Sequence, residues 1–338
     1  MTSLNTGDLA QSLLLRRQNS ALKTDFNRLT QEMTSGRQAD LGAALKGDFK
    51  VLAGIEHSLT VLQSFDTAAS EARIFATTQQ TTLDLMQTLG ADLAPVLSGA
   101  GTSGGATHVS TAAHDARQKF FSAVSALNVR VGDRYVFSGD ATDQKPILGA
   151  QDILDQLTTA IAGQVTASGV TGAIDAWFNA PPGGGGYLDT VYGGSPVALA
   201  PFRIGEGEEA SLTLSAADPT LREALKGLAL GAMVAEGALP GDLTGQALLL
   251  KTAGQSLLAS VTGLASLQAN LGSTEGHIAA VTARNGAEGS ALGIARNELI
   301  AADPFETANE LEAVKTQLET LYALTARLSR LNLADFLR

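Results

Sequence analysis

Two stretches of this chain share one hydrophobic pattern, and they lie at its opposite ends. Leu15, Asn19, Leu22, Phe26, Leu29 and Met33 recur at alternating spacings of four and three, and so do Leu311, Val314, Leu318, Leu321, Thr325, Leu328 and, three residues on, Leu331. That alternation keeps one residue per half-heptad on a single helical seam. It predicts two amphipathic helices built to pack against other helices. Asn19 stands either as a polar register residue within the seam or as a frayed end position.

The first helix is expected to stop at Ser35-Gly36. A long helical stretch follows from about residue 44 to 97, with Leu52, Ile55, Leu59 and Leu62 at helical spacing. Gly99 to Gly105 reads as a flexible turn. A returning helix over about 110–131 places Ala113, Ala116, Phe120, Val124 and Leu127 on one face. The period then changes. Residues 134–139 (Arg-Tyr-Val-Phe-Ser-Gly) alternate and carry β-formers, which predicts a strand. Residues 140–217 are rich in Gly and Pro turns, with strand-like runs at Val197–Leu199 and Leu212–Leu214 and a short helix near 152–161. Helix resumes after Asp218-Pro219, a cap and first-turn proline. A long helix is expected over about 243–300. The last helix opens on Asp303-Pro304-Phe305-Glu306, with acids near its start and bases near its end to suit its dipole.

The expected fold is therefore mainly α. A long antiparallel helical bundle or coiled coil is made from both chain ends, and a β-rich α+β outer domain is inserted between them. The divisions are residues 1–40, an assembly helix mobile in the isolated subunit; 41–139, a helical hairpin plus strand; 140–242, the insert; 243–302, a long core helix; and 303–338, the closing assembly helix. The two ends must come together, with the insert projecting at the far end.

Charge sharpens this division. The chain carries a net −11 over 338 residues. Residues 1–139 hold 12 bases and 12 acids, 140–242 hold 4 against 13, and 243–338 hold 7 against 9. The outer segments are nearly balanced, and the insert is strongly acidic and suited to solvent. No basic stripe exists for nucleic acid. Aromatics are only 5% while Ala, Leu and Gly dominate, which favours thin helical packing over a bulky core. There is no cysteine, hence no disulfide or thiolate metal site. The first residues lack a basic then apolar leader, so a cleavable signal peptide is not expected. The apolar run 227–239 is interrupted by Glu236 and too short for a bilayer.

Candidate chemistry is thin. Gly205-Glu-Gly-Glu-Glu-Ala210 nominally fits a dinucleotide loop, but three carboxylates would face the pyrophosphate, so a surface hairpin turn is the better reading. His57, His108, His114 and His277 are scattered without ligand spacing, and no Ser sits on a nucleophile elbow. Asp140, Asp143, Asp152 and Asp155 lack the alternating oxygens and fixed Gly of a calcium loop. Trp177, Phe178 and Tyr187 are expected to form the small core of the insert. The reading is of a non-enzyme with no catalytic, cofactor or metal residues. Its working residues are packing residues: Leu15, Leu22, Phe26, Leu29, Met33, Leu311, Val314, Leu318, Leu321, Leu328 and Leu331.

Three segments carry a resemblance. Residues 27–37 (Asn-Arg-Leu-Thr-Gln-Glu-Met-Thr-Ser-Gly-Arg) are similar to the helix-end segment of the bacterial flagellin superfamily. Residues 132–139 (Gly-Asp-Arg-Tyr-Val-Phe-Ser-Gly) and 328–337 (Leu-Ser-Arg-Leu-Asn-Leu-Ala-Asp-Phe-Leu) resemble segments of its hook–filament junction branch, the hook-associated protein 3 family. After Arg37 the chain departs from the family pattern of Asn-Pro or Asn-Ala followed by an acidic pair. The resemblance covers about residues 8–139 and 243–338. It implies a structural flagellar subunit, exported unfolded through the flagellar type III apparatus and located outside the cell. Implied partners are other copies of the chain, a neighbouring hook-associated protein, flagellin and an export chaperone, with no nucleic acid and no membrane. The alternatives are filament flagellin itself and, more remotely, a glycan- or protein-binding module in the insert.

Overall fold

The computed structural model describes the backbone of residues 4–336 and the side chains of residues 10–327. The chain is mainly α, with a small antiparallel β part. In order come α1 (Leu4–Ser35), α2 (Leu41–Ala44), α3 (Lys50–Ser103), α4 (Ala106–Leu127), β1 (Arg130–Val131), β2 (Arg134–Tyr135), α5 (Ala150–Ala160), α6 (Ala167–Asn179), α7 (Tyr187–Thr190), β3 (Phe202–Gly205), β4 (Glu208–Ala210), α8 (Pro219–Ala235), α9 (Leu243–Ile300) and α10 (Pro304–Phe336). Two compact units result. One joins Met1–Val61 to Ala287–Arg338, and the other is Leu62–Gly286.

In the 62–286 unit the core is organised around α8. Every residue from Ala224 to Val234 is buried. The run is apolar on all sides apart from Lys226, and a helix apolar all round must be enclosed by others. Asp218 caps it by accepting from the Thr220 N–H at 2.7 Å, with Pro219 in the first turn. Lys226 keeps its charge by reaching Asp175 and Glu223, each at 2.6 Å. Small residues allow the close approach: a Cβ on Gly231 would lie 2.8 Å from Ala116 of α4, and one on Gly227 2.8 Å from Leu257 of α9. The predicted α4 face is buried at all five positions. Trp177, Phe178 and Tyr187 cluster as expected, Trp177 edge-on to both others and Phe178 stacked on Tyr187. The Tyr187 hydroxyl donates to the Ala216 carbonyl at 2.9 Å. Burial pushes that phenol far above its ordinary range, so it stays neutral.

Four local expectations are corrected. Gly99–Ser103 is helical, and the turn is confined to Gly104 (φ +65) and Gly105. A Cβ on Gly101 would lie 2.6 Å from the Ala247 carbonyl, so close packing against α9 uses this glycine and holds the helix through it. The strand predicted over 134–139 ends at Tyr135. Beyond it the backbone is shared among several segments: Phe137 O accepts from Ala216, Ser138 O from Ser195, and the Asp140 N–H donates to Val197. No single ladder forms, and Gly139 sits at φ +65 against Ser195 and Val197 carbonyls. Val197–Leu199 and Leu212–Leu214 are therefore not strands, and the regular structure of residues 140–242 is α5, α6, α7 and α8 with the β3–β4 hairpin. Last, the long helix starts at Lys50 instead of Ala44, because Lys46 (φ +51) and Gly47 (φ +81) break it.

The 205–210 segment is a hairpin. β3 and β4 pair antiparallel around Glu206-Gly207. Ile204 and Ala210 bury against Ala69 and Ala72 of α3 and Ile278 and Val281 of α9. Glu208 lies 2.8 Å from Arg284 and 3.5 Å from His277.

Candidate assembly surface

The two end helices meet in the other unit, where α10 lies along α1. Local chemistry sets their meeting point. Gly36, at φ +66, closes α1 with its N–H on the Glu32 carbonyl at 2.8 Å. The chain then makes a one-residue antiparallel bridge, Arg37 to Ala301. Gln38 donates to Ile300 at 2.9 Å and Ala302 donates to Gly36 at 3.1 Å. This ties the end of α1 to the start of α10, so the two helices run antiparallel. Asp303 caps α10 by accepting from the Phe305 and Glu306 N–H groups at 2.8 and 3.2 Å.

Glu32 is a buried acid in this turn. Arg28 donates to it at 3.2 Å, and the Ala39 N–H donates to it at 3.0 Å. A buried carboxylate needs such partners, since an unpaired one would neutralise or unfold the turn. The adjoining open cleft, about 430 Å³, is lined by Glu32, Asp40, Asp303, Glu306 and Glu310 around Arg28. Among the described residues no group of three or more His, Cys, Asp and Glu could hold a metal ion. His57, His108 and His114 are exposed on helices. No described helix is long and apolar enough to cross a membrane.

Of the predicted packing residues, Leu29 and Leu321 are buried, at 1% and 5% exposure. Leu15, Leu22, Phe26, Leu311, Val314 and Leu318 are half-buried, and Met33 is exposed. Leu328 and Leu331 lie outside the residues whose side chains are described. The described seam positions are thus brought onto one unit of a single chain, and none of them but Leu29 and Leu321 is fully covered there.

A second set of apolar side chains on the same helices escaped the heptad reading. Leu13, Leu14, Tyr322 and Leu324 are exposed, and Phe305 is 84% exposed. Their signal was present as consecutive apolar residues. Leu13-Leu14-Leu15 spans about 200° of helix at 100° per residue, which one narrow stripe cannot cover.

No protein-family model matches this chain, and no curated protein matches it. Among solved structures it is similar to a protein from Vibrio parahaemolyticus provisionally assigned as a flagellar hook-associated protein. The two are 11% identical, the match covers 75% of this chain and 99% of the other, and the TM-score is 0.49.

Proposed function

We propose that this chain is a structural subunit of the bacterial flagellum. It forms the junction layer between hook and filament through packing of end helices between subunits. The observation that carries the assembly reading is the α1–α10 pair: two long helices with apolar residues on more than one side, only part of which the chain itself covers. Full burial of one Leu or Phe contributes roughly 1.5–3 kcal/mol. Leu13, Leu14, Tyr322, Leu324 and the half-buried seam residues leave several such contributions unused in one chain, and neighbouring copies would supply the missing surface.

The flagellar part of the reading rests on the three sequence segments. In this reading the subunit leaves the cell through the flagellar export apparatus with a chaperone. It then contacts its own copies, a neighbouring hook-associated protein and flagellin. No catalysis is assigned to it.

Deleting the coding sequence in the native bacterium tests this. The expected phenotype is hooks without filaments and intact flagellin shed into the medium. Loss of the abundant filament protein itself would make this chain the flagellin, and normal flagella would overturn the flagellar reading. Complementation with Leu14→Asp or Leu324→Asp should give a folded, exported chain that fails to restore filaments. Both positions are exposed, so the α1–α10 pair itself should survive.

A further inference from the structure

The cleft beside the turn out of α1 has a charged lining of five carboxylates and one base, Arg28. Three of the carboxylates are used within the chain. Glu32 takes Arg28 and the Ala39 N–H, Asp40 caps α2 by accepting from the Ala43 N–H at 3.0 Å, and Asp303 caps α10. Glu306 and Glu310 have neither an ion pair nor a side-chain hydrogen bond with a described residue. They stand four residues apart on α10, so they share a face and repel each other. The helix dipole favours Glu306 in the first turn, but its effect has faded at Glu310.

A buried polar group lies in the same cleft. Thr307 lines it and is 5% exposed. Its hydroxyl has no hydrogen-bond partner among the described residues, and a buried hydroxyl calls for one. Glu306, Thr307 and Glu310 together lack a cation with several donors. Among the described residues no three acids close on a metal ion, and about 430 Å³ has room for a whole side chain. A guanidinium, flat and rich in N–H donors, suits these groups best.

The other end of the helix pair carries such groups. Over residues 10–23 of α1 the charges are Arg16, Arg17 and Lys23, and over residues 320–327 of α10 the charge is Arg327. All four are exposed, and none forms an ion pair with a described residue. The antiparallel run of α1 and α10 puts them at one end of the pair. At 1.5 Å per residue the three arginines lie roughly 22–26 Å along the helices from the cleft, beyond the reach of a side chain of the same chain.

We propose that the cleft of one copy seats an arginine from the basic end of the α1–α10 pair of a second copy. Charge complementarity argues for this occupant: one end of the pair is acidic with unused acceptors, and the other is basic with unused donors. Uncovered apolar residues accompany both, Phe305 next to Glu306 and Leu13, Leu14, Tyr322 and Leu324 at the basic end. Because the two ends differ, the contact is heterologous and repeats from copy to copy. It rests on the self-assembly reading above and gives that assembly a direction.

A charge swap in the full-length chain tests this. One variant carries Glu306→Lys and Glu310→Lys, and the other carries Arg16→Glu, Arg17→Glu and Arg327→Glu. All five positions are exposed, so both variants should keep the fold. Protein concentration is raised and assembly is followed by light scattering. Each variant alone should need roughly tenfold more protein than the unaltered chain, or more. An equimolar mixture should assemble as the unaltered chain does, because each reversed end then meets an opposite one. Thr307→Val removes the hydroxyl at nearly constant shape and keeps every charge. It should raise the assembly concentration without lowering the thermal midpoint. Unimpaired assembly of either charge variant or of Thr307→Val would overturn the proposal. Impaired assembly of each charge variant with no recovery in the mixture would overturn the pairing of the two ends while leaving self-assembly standing. Assembly that requires added calcium or magnesium would put a metal in the cleft and overturn it as well. No assembly of the unaltered chain at any concentration would overturn both readings.

Discussion

The two units use similar residues to opposite ends. In the 62–286 unit α8 is buried from Ala224 to Val234 among other helices, and Phe75, Phe120, Phe137, Phe178 and Tyr187 are almost completely enclosed. In the unit built from the chain ends, Leu29 is the one large side chain enclosed to that degree among the described residues. Isolated helices are marginal in water, and most helical stability in proteins comes from tertiary packing. A unit of several packed helices therefore stands by itself. The chain-end unit, with few side chains fully enclosed, has a small reserve and gains most from added surface.

Core truncation should break this comparison most sharply. Phe120→Ala should cost about 3–5 kcal/mol, read as a lowered urea midpoint of the main transition. Leu29→Ala, at a site equally buried, should leave that transition in place. It should instead lower amide-exchange protection along α1 and α10. A main transition lowered as far by Leu29→Ala as by Phe120→Ala would show that the two units do not differ in the way described.

Glycine substitutions sharpen the contrast between packed and open helix faces. Gly254→Ala should destabilise, since its Cβ would lie 2.5 Å from Ser98 Oγ and 2.7 Å from the Ala94 carbonyl. Gly272→Ala, on the same helix but in open space, should stabilise by up to about 1 kcal/mol. Thermal unfolding of the two variants should therefore move in opposite directions. A fall for both would place an unseen contact at Gly272.

The smallest effect concerns the insert. Asp189 accepts from the Gly183 and Gly185 N–H groups at 2.8 and 2.7 Å. Those backbone donors hold its carboxyl below the ordinary range. A depressed folded value stabilises the loop above the unfolded carboxyl pKa, about 3.9, and that contribution is lost as pH falls through the lower folded value. In an acid titration the Gly183 and Gly185 amide resonances should shift together, below the range of exposed carboxyls. Asp189→Asn should remove that shift, and resonances that titrate near 3.9 would show that the amides do not hold the charged form.

Much of the candidate surface was legible in the spacing of residues, and the part that was not has a common cause. The heptads at Leu15–Met33 and Leu311–Leu321 identified the two helices that pair, and Ser35-Gly36 and Asp303-Pro304 marked their ends. Exposure on those helices was not legible. A heptad states which residues share a face, but it does not state how much of that face a partner covers. Leu13, Leu14 and Phe305 therefore became visible as uncovered residues only once α10 was seen against α1.

What the sequence determined by itself was local. It set the helix-rich fold, the caps of α8 and α10, the hairpin at Glu206-Gly207 and the buried Trp177–Phe178–Tyr187 cluster. Each depends on residues near one another in the chain or on a periodic pattern. Tertiary structure alone decided that α3 continues through Gly99–Ser103, and that Val136–Gly139 leaves its strand to share its backbone with residues 195–197 and 216. It also decided that Glu32 is buried with Arg28 and the Ala39 amide. In each case a neighbour brought close by packing, from across the fold or around a tight turn, outweighs the local preference. A backbone polar group or a charge takes whichever partner the packed chain presents, because leaving it unpaired in the interior costs more than any propensity returns.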